Sequence, residues 1–394
     1  MINTKFTPWP KFTEEEITAV SEVLKSNKVN YWTGNECREF EREFAEWSSS
    51  KYAVALANGT VAIDLALKAI EIEEGDEVIV TSRTFLASAS SIVLAGGTPI
   101  FADIDSKSQN ITFESISRVI SKRTKAIICV HLAGWPCDMD SIMALAKSNN
   151  LKVIEDCAQA HGAEYKGSPV GSIGHIAAWS FCQDKIMSTG GEGGMVTTNN
   201  KELWLRMWSQ KDHGKSWEAV YEKKHAPGFR WLHESFGTNG RLTEMQAIIG
   251  RIQLKRMQNW QQLRSQNANI ILNVADKFPK ILRVPRPPKN IKHAWYKCYV
   301  FVKPDGLAPG WNRDRIMGEI NSLGVPCFSG ACSEVYMEKA FENTDLRPKE
   351  RLPVAKELGE TSLMFLVHPT LQQDEIDKTV EAIHQVMNEA SKVK

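Results

Sequence analysis

The chain has 394 residues, a length that predicts two or three domains, or one large domain with a smaller one. Lysine and arginine number 48 against 47 aspartates and glutamates, and the net charge of +1 argues against a nucleic-acid-binding surface. Hydrophobic residues at 42% and charged residues at 24% are ordinary for a globular protein. No run of about 18 apolar residues is present, so we expect no membrane-spanning helix.

The cysteines give no sign of a disulfide framework or a zinc site. All eight are scattered, without a CxxC pair or a zinc-type spacing. Cys129 lies in an apolar run, which suits a reduced thiol that serves as a small hydrophobe. The segment Met1–Phe6 has no apolar stretch, so no secretory signal is predicted. We therefore expect a cytoplasmic protein.

Between residues 50 and 200, short apolar segments alternate with helical patterns. Near-continuous apolar strands separated by amphipathic helices predict an α/β domain, in which a mostly parallel sheet is covered by helices on both faces. The predicted strands are Tyr52–Ala57, Glu77–Thr81, Pro99–Ala102, Ala126–His131, Leu151–Glu155, Ala177–Phe181 and Met195–Thr198. The predicted helices are Val61–Ile70, Ala87–Ala95, Phe113–Ile120 and Met139–Lys147.

A long helix is predicted next, from Leu242 to about Lys277, before a proline-rich connection. The remaining predicted elements, which indicate a smaller α+β unit, are the strands Tyr299–Val302 and Met364–Val367 and the helices Arg313–Leu323 and Asp374–Glu389. We therefore predict a large domain over residues 1–255, including an N-terminal segment, and a small C-terminal domain over 256–394. Residues 205–235 show no clear periodicity and are expected to form a mobile loop or a segment held by a partner.

Ligands of open α/β sheets bind beyond the carboxyl ends of the strands, and three segments at such positions carry reactive groups. The first is Asn58-Gly59-Thr60, between a predicted strand and a predicted helix. Gly59 permits close approach of the backbone, Thr60 offers a hydroxyl, and the free N–H groups of a helix start form an anion cup. The alternative is an ordinary helix cap, in which Thr60 serves only the helix.

The second segment runs from Glu155 to His161, directly after the apolar strand residues Leu151–Ile154. Two acids end the apolar strand, and the amide of Gln159 and the imidazole of His161 follow closely. A carboxylate at this position can hold a cationic nitrogen. The alternative is structural, with Asp156 as a helix N-cap and His161 packed in the core.

The third segment contains Lys185, a lone lysine that follows the strand Ala177–Phe181 in a stretch rich in Ser, Thr and Gly. Four glycines between 190 and 194 indicate that the backbone approaches a ligand closely, although the GxGxxG spacing of a dinucleotide site is absent. In the alternative, Lys185 is a solvated loop residue.

Two other motifs resemble known binding sites but do not have the residue spacing that those sites require. Gly214-Lys215-Ser216 ends like a phosphate-binding P-loop, but Ser209 stands where its first glycine should be. A set of possible metal ligands matches no common site, and its Asp138 is predicted to cap the following helix. That set is His131, Cys137, Asp138 and Asp140. We predict no metal.

One cofactor explains the three segments together. Pyridoxal phosphate needs a lysine for a Schiff base, a carboxylate at its pyridinium nitrogen and a phosphate cup. The lysine amine also serves as the general base that moves the substrate proton. Asp156 at the end of one strand and Lys185 beyond another can face each other across such a pocket.

Several motifs together define a family resemblance that covers nearly the whole chain. They are Asn58-Gly59-Thr60, Gly75-Asp76-Glu77-Val78-Ile79, Thr84-Phe85, the segment 155–163, Ser180-Phe181 with Lys185, Gly191-Glu192-Gly193-Gly194, and Asn239-Gly240-Arg241 with Glu244 and Gln246-Ala247. In these the chain resembles the sugar aminotransferases of the DegT/DnrJ/EryC1/StrS group, within the fold-type I, aspartate aminotransferase-like enzymes. The resemblance implies a large domain with a mostly parallel mixed sheet and a smaller C-terminal α+β domain.

The resemblance also implies roles around the cofactor ring. Lys185 would form the Schiff base and Asp156 would pair with the pyridinium nitrogen. Gln159 would contact the ring hydroxyl, and Phe85 would stack on the ring. Some members of the group are dehydratases in which His replaces the lysine, so Lys185 favours amino transfer.

The phosphate is assigned on the same basis. Gly59, Thr60 and Ser180 would hold it from one subunit. Asn239 would reach the phosphate of the neighbouring subunit, because members of the group form homodimers with shared active sites. Arg230 and Arg241 are candidates for binding the carboxylate of the amino donor.

The reaction implied is a two-step exchange in amino-sugar biosynthesis for lipopolysaccharide or another surface polysaccharide. L-Glutamate would leave as 2-oxoglutarate, and the amino group would pass to the carbonyl of a keto-sugar. The acceptor is either a nucleotide-linked keto-sugar or the 8-oxo form of 3-deoxy-manno-octulosonate, giving 8-amino-3,8-dideoxy-manno-octulosonate. The acceptor stays open because Cys182-Gln183-Asp184 differs from the His-containing version common in the group. The alternatives are a sugar dehydratase of the same fold that uses the same cofactor, and a non-catalytic cofactor-binding protein.

Overall fold

The structure is a computed structural model that describes residues 6–225 and 231–391. In chain order its strands are β1 (Tyr52–Leu56), β2 (Glu77–Thr81), β3 (Thr98–Ala102), β4 (Thr124–Val130), β5 (Lys152–Asp156), β6 (Glu164–Tyr165), β7 (Ser168–Pro169), β8 (Ile176–Ser180), β9 (Gly194–Thr198), β10 (Leu282–Arg283), β11 (Ile291–Lys292), β12 (Cys298–Val302), β13 (Cys327–Phe328) and β14 (Ser362–Phe365). Its α-helices are α1 (Glu14–Lys25), α2 (Glu36–Trp47), α3 (Gly59–Ala69), α4 (Ala87–Leu94), α5 (Phe113–Ser117), α6 (Met139–Ser148), α7 (Lys201–Lys211), α8 (Trp217–Tyr221), α9 (Glu244–Ala275), α10 (Arg313–Ser322), α11 (Pro353–Thr361) and α12 (Gln373–Ala390).

A seven-stranded sheet in the order β1-β9-β8-β5-β4-β2-β3 forms the centre of the molecule. Strands β3, β2, β4, β5 and β8 run parallel, whereas β9 is antiparallel to both of its neighbours, β8 and β1. The predicted α/β fold with a mostly parallel mixed sheet is confirmed. All seven predicted strands are present.

Both faces of this sheet are covered, which explains the continuous apolar strands. Successive side chains of a strand point to opposite faces. In β2, Val78 and Val80 belong to a core shared with residues of α3 and α4, whereas Ile79 belongs to another core with Ile142 of α6. Because neither face of the strand meets water, the period-2 alternation of polar and apolar residues is absent.

The carboxyl-terminal part forms a second sheet. Strands β10, β12, β14 and β13 are antiparallel and pack with α10 and α12 in a separate core. The 32-residue helix α9 contributes to two cores, through Met257 near the central sheet and through Ile271 and Leu272 in the second. The predicted domain boundary at residues 255/256 lies inside α9, and the division into two domains stays a prediction.

Several helices and strands were not predicted from the sequence. Helices α1 and α2 precede the central sheet, and β11, β6 and β7 form a small separate sheet. The expectation that 205–235 lacks regular structure is wrong in part, since α7 extends to Lys211 and α8 follows. Aromatic contacts hold these helices: the ring centroid of Trp217 lies 5.0 Å from that of Trp208 and 4.4 Å from that of Tyr221. Within the described ranges, every helix is too short or too polar to cross a lipid bilayer.

Candidate active site

A cleft of about 1160 Å³ lies at the carboxyl ends of β5 and β8, beside the start of α3. Residues of β12, β13 and β14 line its other side. The structure brings seven of the sequence-predicted site residues into this cleft: Gly59, Thr60, Phe85, Asp156, Gln159, Ser180 and Lys185.

Asp156 is a buried carboxylate at the end of β5. Its Oδ2 accepts a hydrogen bond from the hydroxyl of Ser88 at 2.8 Å, and its Oδ1 accepts one from the N–H of Ala158 at 3.1 Å. Burial raises the pKa of Asp156, while these two hydrogen bonds and the charge of Lys185 oppose the rise. No helix begins within 157–163, so the helix-cap alternative is wrong. A buried carboxylate of this kind is suited to hold a cationic nitrogen.

The side-chain amide of Gln159 has a fixed orientation. The backbone N–H of Ala133 donates to Gln159 Oε1 at 2.8 Å. The amide NH₂ of Gln159 therefore remains as a donor, without an acceptor among the described residues, on a side chain that lines the cleft. An amide N–H is a suitable partner for a phenolic ring oxygen.

The start of α3 and the end of β8 form an anion cup. Asn58 Oδ1 caps the helix by accepting from the N–H of Val61 at 2.9 Å, so the alternative in which Thr60 is the cap is wrong. Within the described ranges, the backbone N–H groups of Gly59 and Thr60 have no acceptor. A Cβ on Gly59 would lie 2.6 Å from Cβ of Ser180, so only glycine lets the helix start approach Ser180 this closely. N–H groups at a helix start beside a hydroxyl suit a phosphate.

Phe85 and Lys185 complete the arrangement. Phe85 lines the cleft while 71% exposed, which leaves its aromatic face available to a planar ring. Lys185 is not a solvated loop residue, since only 16% of its side chain is exposed and its Nζ lies 3.8 Å from Asp184 Oδ1. Its carbonyl accepts a hydrogen bond from the indole N–H of Trp9 at 2.7 Å, which fixes the backbone at this position.

The other predicted residues lie elsewhere. Asn239 is exposed and does not line the cleft of its own chain. Arg241 also lies outside the cleft lining, and its Nη1 donates to the buried Asp212 Oδ1 at 2.6 Å. Arg230 lies outside the described residues. Within one chain, neither Asn239 nor Arg241 reaches the cleft.

His131, Glu155 and Cys157 bring three potential metal-ligand atoms within 4.8 Å of one another. Both nitrogens of His131 are already used, because Nδ1 accepts from the N–H of Cys137 and Nε2 donates to Glu155 at 3.0 Å. Both oxygens of Glu155 also accept backbone N–H groups, from Gly171 on one side and from the 173–174 turn on the other. Glu155 thus holds the loop after β7, and neither His131 nor Glu155 offers a free lone pair to an ion.

The cleft-lining residues that sequence reasoning missed include Ser88, Tyr296 and Lys297. The hydroxyl of Tyr296 donates to Asp184 Oδ2, and the Nζ of Lys297 lies 4.7 Å from the centroid of the Tyr296 ring. A lone lysine in the otherwise apolar stretch 294–302 is a signal by which Lys297 could have been found. No local pattern connects Ser88 with Asp156.

The residues of the cleft fit pyridoxal phosphate. The requirements are an amine, a carboxylate for the ring nitrogen, a donor for the ring oxygen and an anion cup. Lys185, Asp156, Gln159 and the start of α3 beside Ser180 supply them in one cleft. The N–H groups of the first two residues of α3 and the exposed face of Phe85 have no partner among the described residues. The phosphate and the ring of the cofactor would each supply one. Fold and site together define a pyridoxal-phosphate-dependent enzyme.

Comparison with known proteins agrees with this class. The model of the DegT/DnrJ/EryC1/StrS aminotransferase family matches residues 10–384. GDP-perosamine synthase of Escherichia coli O157:H7 is 34% identical over 376 residues, which are 95% of this chain and 96% of that protein. The X-ray structure of the aminotransferase from Psychrobacter cryohalolentis superposes with a TM-score of 0.97 at 65% identity, covering 98% of this chain and 99% of the other. The structure of S. venezuelae DesV in complex with a ketimine intermediate gives a TM-score of 0.85 at 29% identity, with 95% and 94% covered.

The chain belongs to the DegT/DnrJ/EryC1/StrS aminotransferase family. It is a pyridoxal-phosphate-dependent sugar aminotransferase, and the predicted enzyme class and cofactor are confirmed.

Proposed function

We propose that this enzyme transfers the amino group of L-glutamate to the carbonyl of a keto-sugar in two half-reactions, with Lys185 as its catalytic residue. The observation that carries the proposal is the placement of Lys185 and the buried Asp156 in one cleft with the anion cup. An amine facing a carboxylate across a planar cofactor is the arrangement that amino transfer requires.

Each side chain has a defined task in this proposal. When bound, pyridoxal phosphate supplies an electron sink that stabilises negative charge at the substrate carbon. Asp156 keeps the ring nitrogen protonated, and a cationic nitrogen at Oδ2 or Oδ1 would in turn offset the cost of burying the carboxylate. Lys185 binds the cofactor and carries the proton to and from the substrate carbon. Gln159 orients the ring through its amide NH₂, and Phe85 covers one face.

The acceptor in our proposal is a nucleotide-linked keto-sugar, supported by relatives such as GDP-perosamine synthase, whose name gives a GDP-linked product. The 8-oxo form of 3-deoxy-manno-octulosonate is a second candidate. It is favoured by Cys182 and Asp184, which line the cleft where the group commonly carries a His-containing segment. Either acceptor places the enzyme in amino-sugar biosynthesis for lipopolysaccharide or another surface polysaccharide.

We further propose a homodimer with shared active sites. Asn239 supports this, because it is exposed on its own chain and therefore accessible to a second copy.

A cytoplasmic location is supported by the thiols: all eight cysteines are free, as expected in a reducing compartment.

The test is an absorbance spectrum of the purified protein before and after L-glutamate is added, with Lys185→Ala alongside. We expect a visible cofactor band that glutamate bleaches in the wild type only, with release of 2-oxoglutarate. The aminated enzyme is then offered a nucleotide-linked keto-sugar or the oxidised octulosonate, and return of the band identifies the acceptor. Turnover of a sugar without any amino donor would instead support the dehydratase, and absence of bound cofactor would refute the proposal.

A further inference from the structure

Lys297 is a second amine in the cleft, and the proposed chemistry gives it no task. It immediately precedes β12, and among the described residues that line the cleft only Lys185 and Lys297 are cationic. Both amines face one aromatic ring, since Nζ of Lys185 lies 5.2 Å and Nζ of Lys297 lies 4.7 Å from the centroid of Tyr296. The two amines therefore neighbour the same ring within one cleft.

Lys297 lacks an anionic partner. No carboxylate of the described ranges lies within 4.0 Å of its Nζ, and the residue is half-buried. Asp184, whose charge acts on Lys297, accepts a hydrogen bond from the hydroxyl of Tyr296 on Oδ2 and faces Lys185 through Oδ1. Burial lowers the pKa of Lys297 to about 8; Arg264 and Lys185 add to the fall and Asp184 opposes it. An ammonium in such a place is stabilised when a ligand supplies a negative charge.

The sequence suggested two arginines for binding the donor carboxylate, and one of them, Arg241, lies within the described residues. Its guanidinium already has a carboxylate partner. Arg241 is paired with the buried Asp212 outside the cleft lining. Arg264 is buried as well and does not line the cleft; its Nη1 donates to the carbonyl groups of Trp295 and Tyr296, and its Nε and Nη2 have no hydrogen-bond partner among the described residues. With Lys185 occupied by the cofactor, Lys297 is the remaining cation on the described cleft wall.

We propose that Lys297 is the residue that binds a carboxylate of the amino donor, and so positions the donor amine against Lys185. This inference rests on the proposed glutamate half-reaction. It assigns a substrate-binding residue to that step, where the sequence suggested Arg230 or Arg241.

The first test is equilibrium binding, which needs no turnover. Glutarate, a dicarboxylate without an amino group, is titrated by calorimetry into cofactor-loaded wild type, Lys297→Met and Lys297→Arg. We expect Lys297→Met to weaken binding about 10- to 100-fold, the loss typical of one hydrogen bond to a charged group, and Lys297→Arg to restore most of it. Lys303→Met, an exposed lysine just beyond the other end of β12, is the matched control. Equal affinity in Lys297→Met and Lys303→Met would overturn the proposal.

The second test decides which carboxylate is bound. The rate of cofactor bleaching is compared for L-glutamate, for norvaline, which keeps only the α-carboxylate, and for 4-aminobutyrate, which keeps only the distal one. If Lys297 binds the distal group, Lys297→Met abolishes the preference for glutamate over norvaline; if it binds the α-carboxylate, the preference over 4-aminobutyrate is lost. Unchanged preferences, or an effect confined to the acceptor step, would overturn the assignment. Should the wild type ignore glutamate altogether, the proposed function fails, while the glutarate titration still reports on Lys297.

Discussion

The hydroxyl of Ser88, in helix α4, donates a hydrogen bond to Oδ2 of Asp156 at 2.8 Å. The Ser88 hydroxyl donates its only proton to the carboxylate. Ser88 Oγ therefore accepts a hydrogen bond from the hydroxyl of Thr84, at 2.8 Å. Asp156 is thus held by a chain of two hydroxyls as well as by the N–H of Ala158. This chain positions the carboxylate and stabilises its ionised form in a buried place.

We predict that Ser88→Ala weakens cofactor binding and slows the glutamate half-reaction. A hydrogen bond to a charged group contributes about 1.5–3 kcal/mol, so each quantity should fall roughly 10- to 100-fold. Cofactor affinity is measured by titration of the apoprotein, and the half-reaction by stopped-flow absorbance. Ser90→Ala, two residues along the same helix and outside the cleft lining, is the control. If both variants behave alike, Ser88 has no role in positioning Asp156.

Gly59→Ala is predicted to damage the anion cup. The new Cβ would lie 2.6 Å from Cβ of Ser180, so the helix start and β8 must separate. Overpacking of this kind costs about 1–3 kcal/mol, and we expect cofactor affinity to fall roughly 10- to 100-fold. In contrast, Gly318→Ala in α10 meets nothing within 4 Å and should stabilise the fold by up to about 1 kcal/mol, with unchanged cofactor affinity. Tight cofactor binding in Gly59→Ala would contradict the location of the cup.

The strands and several cleft residues could be predicted because each depends on a local pattern in the sequence. The strands were predictable because both faces of the sheet are buried, which makes each strand a continuous apolar run. Asp156 and Lys185 were predictable as residues of the cleft because one ends and the other follows such a strand, where parallel sheets collect ligand-binding groups. Gly59 was predictable for the same reason, from its place between a strand and a helix.

The remaining part of the site depends on contacts between distant segments. Ser88 reaches Asp156 across 68 residues of chain, and Tyr296 reaches Asp184 across 112. Neither side chain stands out locally, since Ser88 lies among small residues and Tyr296 lies in an apolar stretch. Helix α7 was missed because its Trp204 and Trp208 pack on Trp217 of α8 rather than following a regular apolar period.

The proposed shared active site predicts complementation between two inactive variants. Lys185→Ala lacks the proposed Schiff-base amine, and Asn239→Ala lacks the group expected to reach the neighbouring phosphate. In a mixed dimer, one site would combine both defects and the other would be intact. Refolding an equal mixture should therefore restore about a quarter of wild-type activity. Activity no higher than the sum of the separately refolded variants would show that each site belongs to a single chain.

His161 predicts a loss of stability in acid. It is fully buried, its ring lies 5.3 Å from Trp179 and 5.7 Å from Phe181, and neither ring nitrogen has a partner within the described ranges. Burial, with smaller contributions from the charges of Lys185 and Arg264, lowers the pKa of His161 to about 3. Since the unfolded chain takes up this proton near the ordinary pKa of 6.5, stability is lost as pH falls from about 6.5 toward 3.

Protonation of His161 alone should lower the free energy of unfolding by about 2 kcal/mol when the pH falls from 7 to 5. His161→Phe keeps the aromatic packing and removes the titration, so the difference in unfolding free energy between the two pH values should shrink by that amount. The measurement is urea unfolding at each pH, and any constant effect of the larger ring cancels in the difference. Two other buried histidines with lowered pKa values, His293 and His368, are present in both proteins and cancel as well. The exposed His384→Gln is the control, and a pH difference in His161→Phe as large as that of the wild type would contradict a neutral His161 in the core.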